Sequence, residues 1–217
     1  MGEPLASYER VWASVERAQG DMGLSARHLT LSTVGLVPGI RRLASEDLPV
    51  NLAVSLHAGN DAPRDELVPI NRHYPLSVLT GACADYLRAK GRRLSFEWAL
   101  IDGINDRRSD AHELADLARG LPLSAHVNLI PLNPTPGYPT RGTPPAGVRR
   151  FRRWLQEMGV NATVRRNRGT DIDAACGQLA GPARDRSPSP TAARTARAPS
   201  MVELRPPRLG SLTGPAR

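Results

Sequence analysis

Five short apolar runs, at 28–33, 50–57, 94–101, 126–133 and 161–166, constrain the fold of this chain more than any other feature. Between them lie stretches that read as helices, at about 35–43, 75–90, 109–120 and 145–158. Gly91 reads as the stop of the second helix and Ser109 as the N-cap of the third. Strands alternating with helices predict an α/β fold with a parallel sheet and right-handed crossovers. A complete eight-fold barrel takes about 250 residues. Only four or five strand–helix units are visible, so the expectation is a partial (β/α) barrel, whether partial by design or lacking part of the chain.

The pattern ends near Gly181. Over 182–217 Pro, Arg, Ala and Ser dominate with no sustained apolar period. Such a segment buries too little surface to offset its ordering entropy, and it is expected to be a disordered tail behind a 1–181 core. The chain carries a formal charge of +8, and Lys90 is its only lysine. That balance suits a polyanionic partner such as nucleic acid, yet an arginine-rich GC coding bias accounts for it equally well. Two cysteines, Cys83 and Cys176, make no disulfide framework. With no membrane-length apolar run and no signal-peptide pattern at the first residues, the expected setting is the cytoplasm, without a membrane partner.

Chemistry in parallel α/β sheets gathers at the carboxy ends of the strands. Here those ends carry Ser32-Thr33, Ser55 and His57, and Asn133, polar residues that packing does not require. Singly they read as ordinary turn residues; together they read as one mouth. Cys176 sits in a polar loop with small neighbours, near Arg165, Arg166 and Arg168, which favour a thiolate, and near Asp171 and Asp173, which oppose it. Cys83, among small residues of a helix, reads as a packed thiol.

The run Arg168-Gly-Thr-Asp-Ile-Asp-Ala-Ala-Cys176-Gly-Gln-Leu-Ala-Gly181 resembles the carboxy-terminal signature of radical-SAM RNA adenine-C2 methyltransferases. Further matches follow in the family's order: Met1-Gly-Glu-Pro4, Leu31-Ser-Thr-Val-Gly35, Ser55-Leu-His-Ala-Gly-Asn-Asp61 and Asn128-Leu-Ile-Pro-Leu-Asn-Pro134. The resemblance implies a radical-SAM barrel, with 23S rRNA and tRNA as substrates. It implies that Gly2, Glu3, Ser32, Ser55, Leu56, His57 and Asn133 contact S-adenosylmethionine, and that Cys176 carries the methyl group. The implied chemistry methylates Cys176 with one S-adenosylmethionine. A second is cleaved reductively at a [4Fe-4S] cluster, fed by an electron donor; the deoxyadenosyl radical takes a hydrogen from the S-methyl group, and the resulting carbon radical adds to C2 of adenine.

The chain departs from that pattern in three respects: it lacks the cluster cysteines, the second cysteine that would resolve the protein–RNA adduct, and the amino-terminal RNA-binding accessory domain. A radical-SAM cluster is held by Cys-x3-Cys-x2-Cys, and no such triplet is present. The family pattern resumes in mid-motif at Met1, so the cluster ligands and the first barrel strands are expected upstream of it. The chain is expected to be a fragment, inactive in reductive cleavage, with an unprotected sheet edge and poor solubility. The competing reading is a non-catalytic RNA-binding remnant using the basic helix Val148-Arg-Arg-Phe-Arg-Arg-Trp154 and the arginine-rich tail. Against it stands the simpler picture of a surface helix that packs its aromatics inward.

Overall fold

The computed structural model describes residues 2–132 and 140–165. Asn133, Cys176 and the 182–217 tail lie outside them. Five parallel strands, β1 (Thr30–Thr33), β2 (Asn51–Ser55), β3 (Leu94–Leu100), β4 (His126–Pro131) and β5 (Ala162–Val164), form one sheet in sequential order. The helices are α1 (Tyr8–Gly20), α2 (Val37–Ser45), α3 (Asp61–Leu67), α4 (Leu76–Lys90), α5 (Arg108–Arg119) and α6 (Pro145–Glu157). The parallel α/β fold expected from the sequence is present, and strands in sequential order joined by helices are the arrangement of a partial (β/α) barrel.

The strands obey period two, so each offers one face to the helices. In β3, Leu94, Phe96, Trp98 and Leu100 are buried while Ser95, Glu97 and Ala99 are half-buried. The register aligns Thr33, Val54, Phe96, Val127 and Ala162 into one row across all five strands, none more than 3% exposed. Over this face lie Ile40 and Leu43 of α2, Leu79 and Cys83 of α4, Leu114 of α5, and Phe151 and Leu155 of α6, all fully buried. Phe151 stacks on Trp98 with ring centroids 6.1 Å apart.

Local chemistry sets several element ends. Gly91 takes a left-handed conformation at φ 56° and donates to Leu87 O, closing α4 as expected. Helix α5 corrects the sequence reading: Asp110 accepts the Arg107 N–H at 2.8 Å, so the helix begins at Arg108 and Ser109 falls inside its first turn. Tyr86 of α4 donates its hydroxyl to Val50 O, tying that helix to the start of β2. Helices α1 and α3 were not anticipated as separate elements. Among the described residues β1 and β5 form the sheet edges, and an apolar groove lined by Val11, Val15, Ala18, Leu29 and Leu31 runs between α1 and β1.

Candidate cofactor site at the strand ends

The face turned away from the helices is polar in every strand. One row joins Ser32, Ala53, Ser95 and His126; the next joins Ser55, Glu97, Asn128 and Thr163. Glu97 accepts from Ser95 Oγ at 3.0 Å and from Asn128 Nδ2 at 2.9 Å. Thr163 continues the chain to Asn128 Oδ1 at 3.4 Å and pairs with His126 Nε2 at 2.8 Å. Hydrogen bonds therefore cross three strands on this face.

At the carboxy end of β2 the backbone turns at His57, the only described non-glycine residue with positive φ, at 61°. Such a conformation is uncommon outside glycine and persists where its surroundings enforce it. Two hydrogen bonds do so here. The His57 Nδ1 accepts the Ala99 N–H at 3.0 Å, and its carbonyl accepts from Asn105 Nδ2 at 2.9 Å. Because Nδ1 accepts, the proton of the neutral ring sits on Nε2. Burial first, and the nearby Arg64 cation second, hold the imidazole down at about 4. The ring is thus a neutral Nε2–H donor near neutral pH.

Asn105 completes this corner and was not anticipated from the sequence. It is 2% exposed, donates also to Ala99 O at 2.8 Å, and accepts the Ile101 N–H at 2.8 Å. The only hint was its place in the loop after Asp102-Gly103, which reads as a turn. Leu56 is fully buried and donates its N–H to Glu97 O at 3.0 Å. Gly59, two residues beyond His57, passes so close to α5 that a Cβ would lie 2.4 Å from Glu113 Cβ.

The segment before β1 joins the same end of the sheet. Glu3 accepts from Leu5 N at 3.0 Å and from Val34 N at 2.8 Å, so one carboxylate caps a short 3-10 turn and fastens it past the end of β1. Gly2 is exposed, and a Cβ there would meet nothing within 4 Å. Ser32 is exposed on the polar face, and Ser55 lies half-buried beside Glu97. Thr33 departs from the mouth expected in the sequence: it is buried on the helix side, and its Oγ1 accepts from Gly35 N at 3.1 Å and Leu36 N at 3.2 Å. It is a turn residue. Of the residues expected to contact a cofactor, the fold therefore brings Ser32, Ser55 and His57 to the polar face and its rim. Glu3 is anchored to Val34, just past the end of β1.

Cys83 is fully buried in α4, and burial pushes its thiol up to about 12, which makes it inert as a ligand or nucleophile. Among the described residues no group of histidine, cysteine or acidic side chains could hold a metal ion. With Cys83 inert and Cys176 the only other cysteine, this chain's residues do not fit a [4Fe-4S] cluster, which needs three thiolates. On α6, Phe151 is fully buried and Arg150 lies over the Trp154 ring at 5.4 Å, so both aromatics belong to packing.

The fold and site define a parallel five-stranded α/β protein with one polar sheet face, and solved structures narrow that class to radical-SAM-type folds. A radical SAM methyltransferase from Sphaerobacter thermophilus superposes with a TM-score of 0.77 at 51% identity, covering 82% of this chain and 52% of that one. A domain of pyruvate-formate lyase-activating enzyme from Bacteroides vulgatus, at 17% identity and a TM-score of 0.59, shares the fold alone. Sequence relatives narrow the assignment. The chain is 56% identical over 190 residues to a Roseiflexus castenholzii protein and 55% identical over 184 residues to one from Frankia alni. Both are named "Probable dual-specificity RNA methyltransferase RlmN". In each case 83% of this chain is covered, against 48% and 43% of the relative, so the chain spans about half the length of the curated relatives it matches. No protein-family model matches it. Over 83% of its length the chain is thus similar to proteins named as RlmN dual-specificity RNA methyltransferases, and over 82% to a solved radical SAM methyltransferase.

Proposed function

We propose that this chain supplies the S-adenosylmethionine-binding strand ends and the methyl-carrying cysteine of an RNA adenine-C2 methyltransferase acting on 23S rRNA and tRNA. The observation that carries the reading is the rigid turn Ser55-Leu56-His57, held by Ala99 and Asn105 at the rim of a polar sheet face. Ser32 and Ser55 offer hydroxyls, His57 a neutral Nε2–H, and Glu3 a carboxylate with free lone pairs. Gly2 lets the backbone approach closely and Leu56 fixes the turn from the buried side; Asn133, outside the described residues, joins the set by the resemblance alone. That donor and acceptor set suits a ligand bearing a carboxylate, an ammonium group and a ribose diol.

When bound, S-adenosylmethionine supplies an activated methyl group. Cys176 is the thiol that receives it and presents it to C2 of adenine, an electron-poor carbon that does not attack a sulfonium methyl directly. The adenine must be presented unstacked for that contact. The cluster ligands and the route for an electron donor are supplied by residues outside this chain, which alone does not perform reductive cleavage. No helix among the described residues is long and apolar enough to cross a membrane, and the reading places the protein in the cytoplasm with its RNA.

Titration calorimetry with S-adenosylhomocysteine on the folded chain tests this reading. Saturable binding that weakens in Ser55→Ala and in His57→Ala is the expected result. A folded chain that binds no nucleoside ligand, yet binds RNA with a steep salt dependence, would overturn it in favour of an RNA-binding remnant.

A further inference from the structure

Arg64, on the short helix α3, is fully buried. A buried guanidinium normally pairs with a carboxylate; here it is surrounded by carbonyls. Its Nε donates to Leu56 O at 3.1 Å, one terminal nitrogen donates to Val34 O at 3.0 Å and Ser55 O at 3.2 Å, and the other donates to Asn71 Oδ1 at 2.8 Å. Asn71 in turn donates to Asp61 Oδ1 at 2.9 Å and Asp65 Oδ1 at 2.7 Å, so the balancing acids stand one residue away. Asp61 also accepts the Leu76 N–H at 2.8 Å, fastening this cluster to the start of α4. Gly35, at φ 109°, leaves the space: a Cβ there would stand 3.3 Å from the Arg64 terminal nitrogen.

The three backbone carbonyls belong to the ends of two neighbouring strands. Val34 follows β1, and Ser55 and Leu56 close β2. Carbonyls beyond the last ladder bond must find donors or water, and here one planar side chain takes all three. The spacing between the strand ends is thereby set by the width of a guanidinium. We propose that Arg64 is a positioning residue for cofactor binding, acting through Val34, Ser55 and Leu56 to hold the two strand ends that carry Ser32 and His57 in their binding geometry. This rests on the cofactor reading above.

Arg64→Lys, which keeps the charge but cannot span three carbonyls, is the main variant; Arg64→Met removes the donors altogether. Phe151→Leu, on α6, is the control for lost stability alone. In the folded full chain, Arg64→Lys is expected to weaken S-adenosylhomocysteine roughly tenfold or more, as misplacement of a binding group does. Amide hydrogen exchange is expected to accelerate locally at 34–36 and 55–58, while Phe151→Leu leaves the dissociation constant unchanged at a similar loss in Tm. Equal weakening in Arg64→Lys and Phe151→Leu, or acceleration spread over the whole sheet, would overturn the proposal. An unmodified chain that does not bind the ligand would sink the cofactor reading separately, and the clamp would then stand or fall on the exchange pattern. If Arg64→Met does not fold, Arg64→Lys decides.

Discussion

The two faces of the sheet are cut from the same strands, yet they are held together differently. Under the helices, the row Thr33, Val54, Phe96, Val127 and Ala162 is closed off from water and joined mainly by shape. On the other side, Ser55, Glu97, Asn128 and Thr163 stand in register, and the last three are joined by directed hydrogen bonds. Close packing is sensitive to lost volume anywhere in the layer. A polar face tolerates small losses of stability but depends on where each group points. Stability is therefore concentrated on one side, and the proposed recognition falls on the other.

The largest expected effect comes from the covered face. Trp98 is fully buried, stacks on Phe151 and donates its indole N–H to Asn105 O at 3.2 Å. Trp98→Ala should cost about 3–5 kcal/mol, enough to leave the chain largely unfolded in urea titrations. Next is the corner where the faces meet. Asn105→Ala would strand the carbonyls of His57 and Ala99 and the N–H of Ile101. A loss of about 2–3 kcal/mol is expected, together with faster exchange at His57. An equal loss without any change at His57 would show that Asn105 serves packing alone.

His57 gives a comparison that acid can read. Its ring is held at about 4, against 6.5 as its ordinary value, by burial and then by Arg64. Between those values the unfolded chain binds more protons than the folded one, so His57 subtracts nothing above about pH 6.5 and destabilises progressively toward pH 4. His126 is lowered too, by burial and Arg93. The informative quantity is thus the difference from His57→Asn, whose Oδ1 can still accept from Ala99 and whose backbone tolerates positive φ. The variant should lose stability less steeply between pH 6.5 and 4; equal slopes would contradict the assigned geometry. The smallest effect belongs to the exposed Ser32. Ser32→Ala should change stability by no more than about 0.5 kcal/mol while weakening the nucleoside ligand.

The covered face was the more legible of the two. Alternation in Leu94-Ser-Phe-Glu-Trp and the apolar runs around Val54 and Val127 disclose strands because burial repeats every second residue. Ser32, Ser55 and His57 were legible as polar groups at strand ends. Arg64 and Asn105 were not, because an arginine in Asp61-Ala-Pro-Arg-Asp65 and an asparagine after a glycine turn look like solvent-exposed loop residues. Their importance lies in main-chain carbonyls and amides from distant segments, which no local pattern records. Thr33 misled for the opposite reason: its neighbour Ser32 faces the polar side, and period two sends Thr33 under the helices to cap a turn.

Hydrogen–deuterium exchange on the full chain, with and without S-adenosylmethionine, tests the central claim most directly. Protection gathered at 32–36, 55–58 and 99–105, with the helices unchanged, is the result predicted for a cofactor seated on the polar strand ends. Protection confined to α6 or to the groove between α1 and β1, or none at saturating ligand, would place the site elsewhere and contradict the account.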